Sequence, residues 1–408
     1  MTDESLAAAN IPTLAPSHAR LADAREIPRA VENALAALGH PNALTVLVND
    51  PQRHTASPPV LAALAGRIDP AAVHVLVAAS THRFAAAQRA AFEERLRGGG
   101  ASHSPPPPGE FAWHDALADG LVAIGPWHGH PWLLADRPLL AVGSVEPHYF
   151  AGYTGAHKTS TIGCAAYDDV QSNHAAALSP ACRPAVLSGN PVHAGVLAML
   201  AALEARQSLA AVNLIQAGAD VLGAFGGTVK QTLHAAADLA GDAFVRHIDE
   251  PADALVLEVT GPLANTFYQA DKGIKNNEWA VRDGGCLVLV ASCGGGIGQD
   301  HFVELLRAAP THAQALSIIE RRGYRLGDHK AVRLRRLTDP ASRGVRVMLV
   351  SEGLSADDAR TLGFLKVATV AQALSAAGVE PPIQRVYRVR DAGNCVVAVA
   401  EPQDNGSR

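Results

Sequence analysis

The sequence predicts an α/β fold: two α/β domains with mainly parallel sheets and an active site in the cleft between them. Three observations carry that expectation. Short apolar, β-branched runs alternate with longer helical stretches, the pattern of strands buried on both faces of a parallel sheet. The chain has 408 residues, enough for two domains of ordinary size. The alternation starts afresh near Pro251, so the domains are expected at 1–250 and 251–392, with the tail, about 393–408, returning to the first.

Residues 43–49, ALTVLVN, read as a buried strand that ends at Asp50 and Pro51. A helix is expected from Pro58 to about Ile68. A second buried strand, VHVLVAA, then ends at Ser80, Thr81 and His82, and an alanine-rich helix follows from about Ala85 to Leu96. Ligands of such sheets lie at the carboxyl ends of the strands, where Asp50, Arg53 and His82 fall. The segment GGGASHSPPPPGE, 98–110, combines glycines with four consecutive prolines and reads as an exposed connector. ADRPLLAVGSVEP supplies another short strand, and helices are expected at 191–206 and 228–241. Beyond Pro251, ADALVLEV, CLVLVAS and VRVMLVS read as three buried strands separated by helices, with CVVAVA as the last strand.

Composition narrows the function. Hydrophobic residues make up 48% and charged residues 18%, a globular balance, and a net charge of -5 gives no electrostatic reason to expect nucleic acid or an anionic membrane. A small-molecule ligand is expected instead. The five cysteines are odd in number and form no CxxC pair, which suggests neither a disulfide framework nor a thiolate zinc site and fits a reducing cytoplasm. The opening MTDESLAAANIPTLAP does not read as a secretory signal, and no apolar run approaches the roughly 20 residues of a membrane span.

The chemistry concentrates in EPHYFAGYTGAHKTSTIGCAAYDDVQSNH, 146–174. His148, Lys158 and His174 are residue types suited to a proton carrier, an amine that can bond a cofactor and a metal ligand. Taken singly they are a strand-end histidine, a surface lysine and a helix-cap histidine. Together they stand among small residues and hydroxyls, with two glycines that let the backbone approach a ligand closely.

The run HYFAGYTGAHK resembles the motif of the nickel-pincer lactate racemases and related 2-hydroxyacid racemases and epimerases, whose usual form reads close to HYFAGYSGGRK. Other segments are similar in the same order. NDPQRHT, with Asp50, Arg53 and Thr55, resembles the family's DxTRxT-like loop, and THR, 81–83, the loop with a second acid/base histidine. NH and GNPV segments, YQADKGIKNNEWAV and the turn CGGGIGQDHF follow, the last a weak signal in isolation.

The resemblance implies an isomerase that inverts C2 of a 2-hydroxycarboxylic acid, with His82 and His148 as the acid/base pair. It implies nickel, ligated by His174, within a pyridinium-3,5-bisthiocarboxylate mononucleotide attached covalently to Lys158. Asp50, Thr159, Ser160 and Tyr268 would bind that cofactor, with Thr161 a further hydroxyl for its phosphate. Arg53, Gln269 and Lys272 would bind the substrate. Cofactor-synthesis proteins would be the maturation partners. Two other readings stay open: a mononuclear metal-dependent hydrolase or lyase with the same histidines as ligands, and a non-catalytic nickel-cofactor-binding protein. The chain departs from the family at Gly155, Ala156, His157 and Lys158, where GGxK is usual, and in the extra histidines His128 and His130. His157, Trp127 and Trp132 either line the pocket around the substrate's C3 substituent or pack the interior.

Overall fold

The computed structural model describes residues 11–17, 20–98, 108–380 and 384–400. The chain divides into two compact units, one of residues 18–182 and 186–243, the other of 1–17, 183–185 and 244–408. Both are α/β with mainly parallel sheets. The connector expected at 98–110 lies largely outside the described residues.

The first unit is built on a six-stranded sheet. Its order is Asp220–Gly227, Leu209–Ala217, Leu139–Ser144, Leu44–Asn49, Val73–Ala78 and Glu110–Trp113, parallel except for the antiparallel edge strand Asp220–Gly227. Alternate side chains Val46, Val48, Val75, Val77, Leu140 and Val142 are fully shielded on one face, where they meet apolar residues of the helices Glu26–Ala37, Ser57–Ala65 and Ala86–Leu96. Each such side chain contributes roughly 1.5–3 kcal/mol by leaving water. The strands Leu44–Asn49 and Leu139–Ser144 run parallel side by side, and from them later strands are added outward in opposite directions along the sheet. The carboxyl ends at such a switch in strand order are the usual ligand position in an open α/β sheet.

The helix expected to reach Ile68 stops at Ala65, since Gly66 follows and the amides of Arg67 and Ile68 turn back to the Leu64 carbonyl. The later helices run Pro191–Glu204 and Val229–Phe244.

The second unit has an all-parallel sheet ordered Thr13–Leu14, Val386–Val389, Ala252–Glu258, Val281–Val290, Arg346–Val350 and Leu365–Lys366. The three expected strands form its centre. Val396–Val399 pairs in parallel with Val245–Ile248 as a separate two-stranded sheet. No helix among the described residues is long and apolar enough to cross a membrane.

Candidate active site

The first part of the site follows directly from the strand ends. Asp50, 4% exposed, caps the 3₁₀ turn Pro51–Arg53, its Oδ1 accepting the Gln52 amide at 2.8 Å. Its Oδ2 lies 2.8 Å from Nδ1 of His82, which stands just beyond the end of the neighbouring strand. A carboxylate can only accept here, so Nδ1 carries the proton and Nε2 keeps its lone pair. His82 is thereby oriented as a base. Arg53 forms no salt bridge with Asp50, and its guanidinium has no hydrogen bond or ion pair among the described residues.

The second part is a tight turn. The strand Leu139–Ser144 is followed by the two-residue ribbon Pro147–His148 and Gly152–Tyr153, then by the short helix Ala156–Thr159 that carries Lys158. A Cβ on Gly143 would stand 2.3 Å from the Ala156 nitrogen, so a glycine there lets the helix rest on the strand. Gly155 precedes the helix at φ +142°, a conformation that favours glycine.

Phe150 gathers the motif. Its ring lies 4.5 Å from that of His148 and 5.0 Å from that of His174, both edge-on, and 5.5 Å from the Lys158 amine. The Ala151 amide donates to Nδ1 of His148 at 3.3 Å, so neutral His148 carries its proton on Nε2, the opposite tautomer to His82. His174, on the helix Tyr167–Ala175, is pushed down to about 3 by burial and by Lys158, which leaves a neutral imidazole with a lone pair to offer. Burial and the Arg53 charge lower Lys158 to about 7, against a raising contribution from Glu146. Its amine is thus substantially neutral at physiological pH. The Arg53 influence also joins the two parts of the site electrostatically.

The hydroxyls expected at a phosphate are committed elsewhere. Ser160 donates to the Ala156 carbonyl at 3.0 Å and Thr161 to that of His157 at 2.6 Å, both side chains being fully buried. Thr159 accepts from Asn49 Nδ2 at 3.0 Å, and Thr55 donates to Asn49 Oδ1 at 2.9 Å. These bonds fasten the lysine turn to the carboxyl end of the central strand. Asn190 caps the helix Pro191–Glu204 through the amides of Val192 and His193.

His157 is fully buried, its ring 5.4 Å from that of His193, with both ring nitrogens free of hydrogen bonds among the described residues. Trp127, 2% exposed, donates Nε1 to the Met199 carbonyl, and Trp132 lies against His74. His157 and Trp127 are interior packing residues.

In the second unit, Tyr268, Gln269 and Lys272 share the helix Phe267–Asn277. Gln269 is exposed, and Lys272 Nζ lies 3.4 Å from Asn394 Oδ1. Burial raises the Tyr268 hydroxyl to about 12, and Lys330 Nζ sits 3.9 Å from the centre of its ring while donating to its carbonyl at 2.6 Å. Lys275, three residues beyond Lys272, is buried 3.7 Å from Asp271. The glycine-rich turn has a structural task. Carbonyls of Gly296 and Ile297 accept the amides of Phe267 and Tyr268, seating the start of that helix.

Sequence reasoning passed over Phe150 and Asn49 as site residues. The place of Phe150 inside the run HYFAGYTGAHK, two residues after His148, was the signal that could have found it. Asn49 reads only as the last residue of an apolar strand, and its bonds to Thr55 and Thr159 emerge from the fold.

Comparison with known proteins places the chain. Residues 133–184 match the model of the lactate racemase N-terminal domain and residues 249–381 that of the lactate racemase C-terminal domain. The lactate racemase of Thermoanaerobacterium thermosaccharolyticum is 30% identical over 192 residues, 45% of this chain and 43% of that protein. That of Lactiplantibacillus plantarum is 29% identical over 171 residues, 40% of this chain and 39% of that protein. The matched stretches thus span less than half the length of these relatives. In fold, the apoprotein structure from T. thermosaccharolyticum aligns with a TM-score of 0.81 at 20% identity, covering 95% of this chain and 94% of that one. A Thermotoga maritima protein aligns at 0.68 and 15% identity, over 93% and 98%. The chain is thus similar to lactate racemases in both of their domains, matched in chain order.

Proposed function

We propose that the protein is a racemase or epimerase that inverts the C2 centre of a 2-hydroxycarboxylic acid, with His82 and His148 as its acid/base pair. The observation that carries this reading is the assembly, in one unit, of the Asp50–His82 pair with His148, Lys158 and His174 around Phe150.

Direct deprotonation at C2 is unfavourable, since the adjacent carboxylate cannot readily take more negative charge. The nickel-pincer nucleotide implied by the family resemblance supplies, when bound, an acceptor and donor for the C2 hydrogen as hydride. The residues fit that group. Burial and Arg53 both disfavour the Lys158 ammonium, and an acylated or thioacylated lysine has no charge to disfavour. His174 presents a neutral imidazole, and no group of three or more His, Cys, Asp or Glu among the described residues is placed to hold a metal ion. A nickel bound to His174 would take its remaining ligands from the nucleotide.

The chain's own residues then divide the work. Arg53 receives the substrate carboxylate on its unpaired guanidinium, in the bidentate manner suited to a planar fork. His82 takes the hydroxyl proton at Nε2, and Asp50 supports the resulting imidazolium. With such a group bound, C2 could become planar as a 2-keto acid, so that either of its faces would be open to regain the hydrogen. His148, approaching from the other side, exchanges the oxygen-bound proton there. Gln269 and Lys272 would add contacts to the substrate, and Tyr268 to the cofactor. Thr159, Ser160 and Thr161 serve this reading by locking the lysine turn. Maturation would require cofactor-synthesis proteins, and a cytoplasmic site of action suits five free, buried cysteines.

The test is stereochemical. Protein from a host that makes the nucleotide, given one enantiomer of a 2-hydroxy acid, should yield both on chiral chromatography. Absence of interconversion across lactate and its larger analogues, with the cofactor verified on the protein, would overturn the proposal.

A further inference from the structure

A groove of about 370 Å³ opens beside the Asp50–His82 pair, lined among others by Gln52, Arg83, Phe84, Gln88 and Arg95. Its size suits a small-molecule site, and none of its lining residues is acidic. The groove grows from the same two loops as the candidate chemistry. Gln52 donates its amide to Asp50, and Phe84 lies edge-on to the His82 ring at 6.4 Å.

We propose that this groove takes a second anionic group at the far end of the substrate, so that the chain favours 2-hydroxy acids bearing a second carboxylate. The inference rests on the racemase reading above and narrows its substrate class. Two observations support it. Arg83 and Arg95 have no hydrogen bond or ion pair among the described residues, whereas nearby Arg97 pairs with Glu93 and Arg67 with Glu32. Two cations thus face one groove with no anionic partner among the described residues. The walls are also held in place: Arg95 lies 4.8 Å from the centre of the Phe92 ring, and the Phe84 carbonyl accepts Nε of Arg89 at 3.2 Å. A guanidinium so held offers paired donors to a carboxylate, with two glutamine amides available beside it. Arg53 would keep the C1 carboxylate, leaving the second one for Arg83 and Arg95.

The experiment compares two substrates of equal carbon count on the cofactor-loaded protein: 2-hydroxybutanedioate and 2-hydroxybutanoate. The dicarboxylate should have the higher kcat/KM, by about tenfold, the order expected for a charge-assisted contact in a half-open groove. Arg83→Gln and Arg95→Gln should each lower that ratio severalfold through KM for the dicarboxylate, and added salt should narrow it. A ratio near one in the unaltered protein, or a ratio unmoved by both substitutions, would overturn the inference while leaving the racemase reading intact. Failure of the loaded protein on both substrates would instead count against the racemase reading. Calorimetry with butanedioate then decides the groove: binding weakened by Arg83→Gln supports it, and no binding overturns it. Butanedioate that binds without competing with 2-hydroxybutanoate would mark a separate anion site and also overturn it.

Discussion

Replacing Asp50 with asparagine tests whether the tautomer of His82 governs turnover. The carboxylate is buried at 4% exposure, with one oxygen on the Gln52 amide and the other 2.8 Å from His82 Nδ1. Asparagine keeps the size and one acceptor, so the cap on the 3₁₀ turn can survive. The amide that replaces the second oxygen donates where the carboxylate accepted. Nδ1 must then be the acceptor, and the proton moves to Nε2, the atom that should receive the substrate proton. General acid–base catalysis contributes about 10²–10⁴ in rate, or roughly 3–5 kcal/mol of barrier. Asp50→Asn should therefore slow racemisation by that order with little change in Tm. Asp50→Ala should lose the cap as well, costing about 1 kcal/mol and a few degrees of Tm. His82→Asn should be as severe as Asp50→Asn, and the double variant hardly worse than either, since the two act as one unit. Rates are followed by chiral chromatography and normalised to the fraction of modified Lys158 measured by mass. An Asp50→Asn protein that retains a third or more of the rate at full modification would refute the argument.

Other outcomes follow from burial and packing. Gly143→Ala places a methyl 2.3 Å from the Ala156 nitrogen and should lower Tm and the extent of Lys158 modification together; an unchanged modification level would show that the strand does not set the lysine turn. Lys158 falls from 10.5 to about 7 on folding, so the unfolded chain binds more protons between those values and the apoprotein gains stability as pH rises through them. Lys158→Met should accordingly stabilise the apoprotein at pH 7, by roughly 2–4 kcal/mol after allowing for partial solvent access, with the advantage gone near pH 10.5. Equal denaturation midpoints at pH 7 would contradict the shift. His130 and His193 are both lowered to about 4, chiefly by burial, so the first unit should lose stability as pH drops from 6.5 towards 4. Each contributes at most about 1.4 kcal/mol per pH unit, less for half-buried His130. His193→Gln should flatten the slope of urea midpoint against pH, and an unaltered slope would count against a buried neutral ring.

The α/β class was legible because parallel strands buried on both faces leave continuous apolar runs, as in ALTVLVN and VHVLVAA. The edge strand Asp220–Gly227 was not, because half of it is glycine or alanine and its pairing depends on the neighbouring strand Leu209–Ala217. Thr13–Leu14 joins the second unit's sheet through only two residues, too short for a periodic signal. In the site, the strand-end positions of Asp50 and His82 followed from the α/β alternation, but their 2.8 Å contact is a product of adjacent parallel strands. The hydroxyls after Lys158 looked like phosphate donors in one dimension. In a short helix their nearest acceptors are carbonyls four residues back, and Ser160 and Thr161 bond there instead. His157, adjacent to Lys158 in sequence, points into the interior, because side chains next to one another on a helical turn are about 100° apart.

The proposed function stands on a nickel nucleotide carried by Lys158. Intact mass, nickel content and peptide mapping of protein from a host that makes the pincer cofactor test it most directly. A nucleotide-sized adduct confined to the Lys158 peptide, with about one nickel per chain that is lost in His174→Ala, is the predicted result. An unmodified Lys158 from that host, in protein that is folded by its Tm, would contradict it.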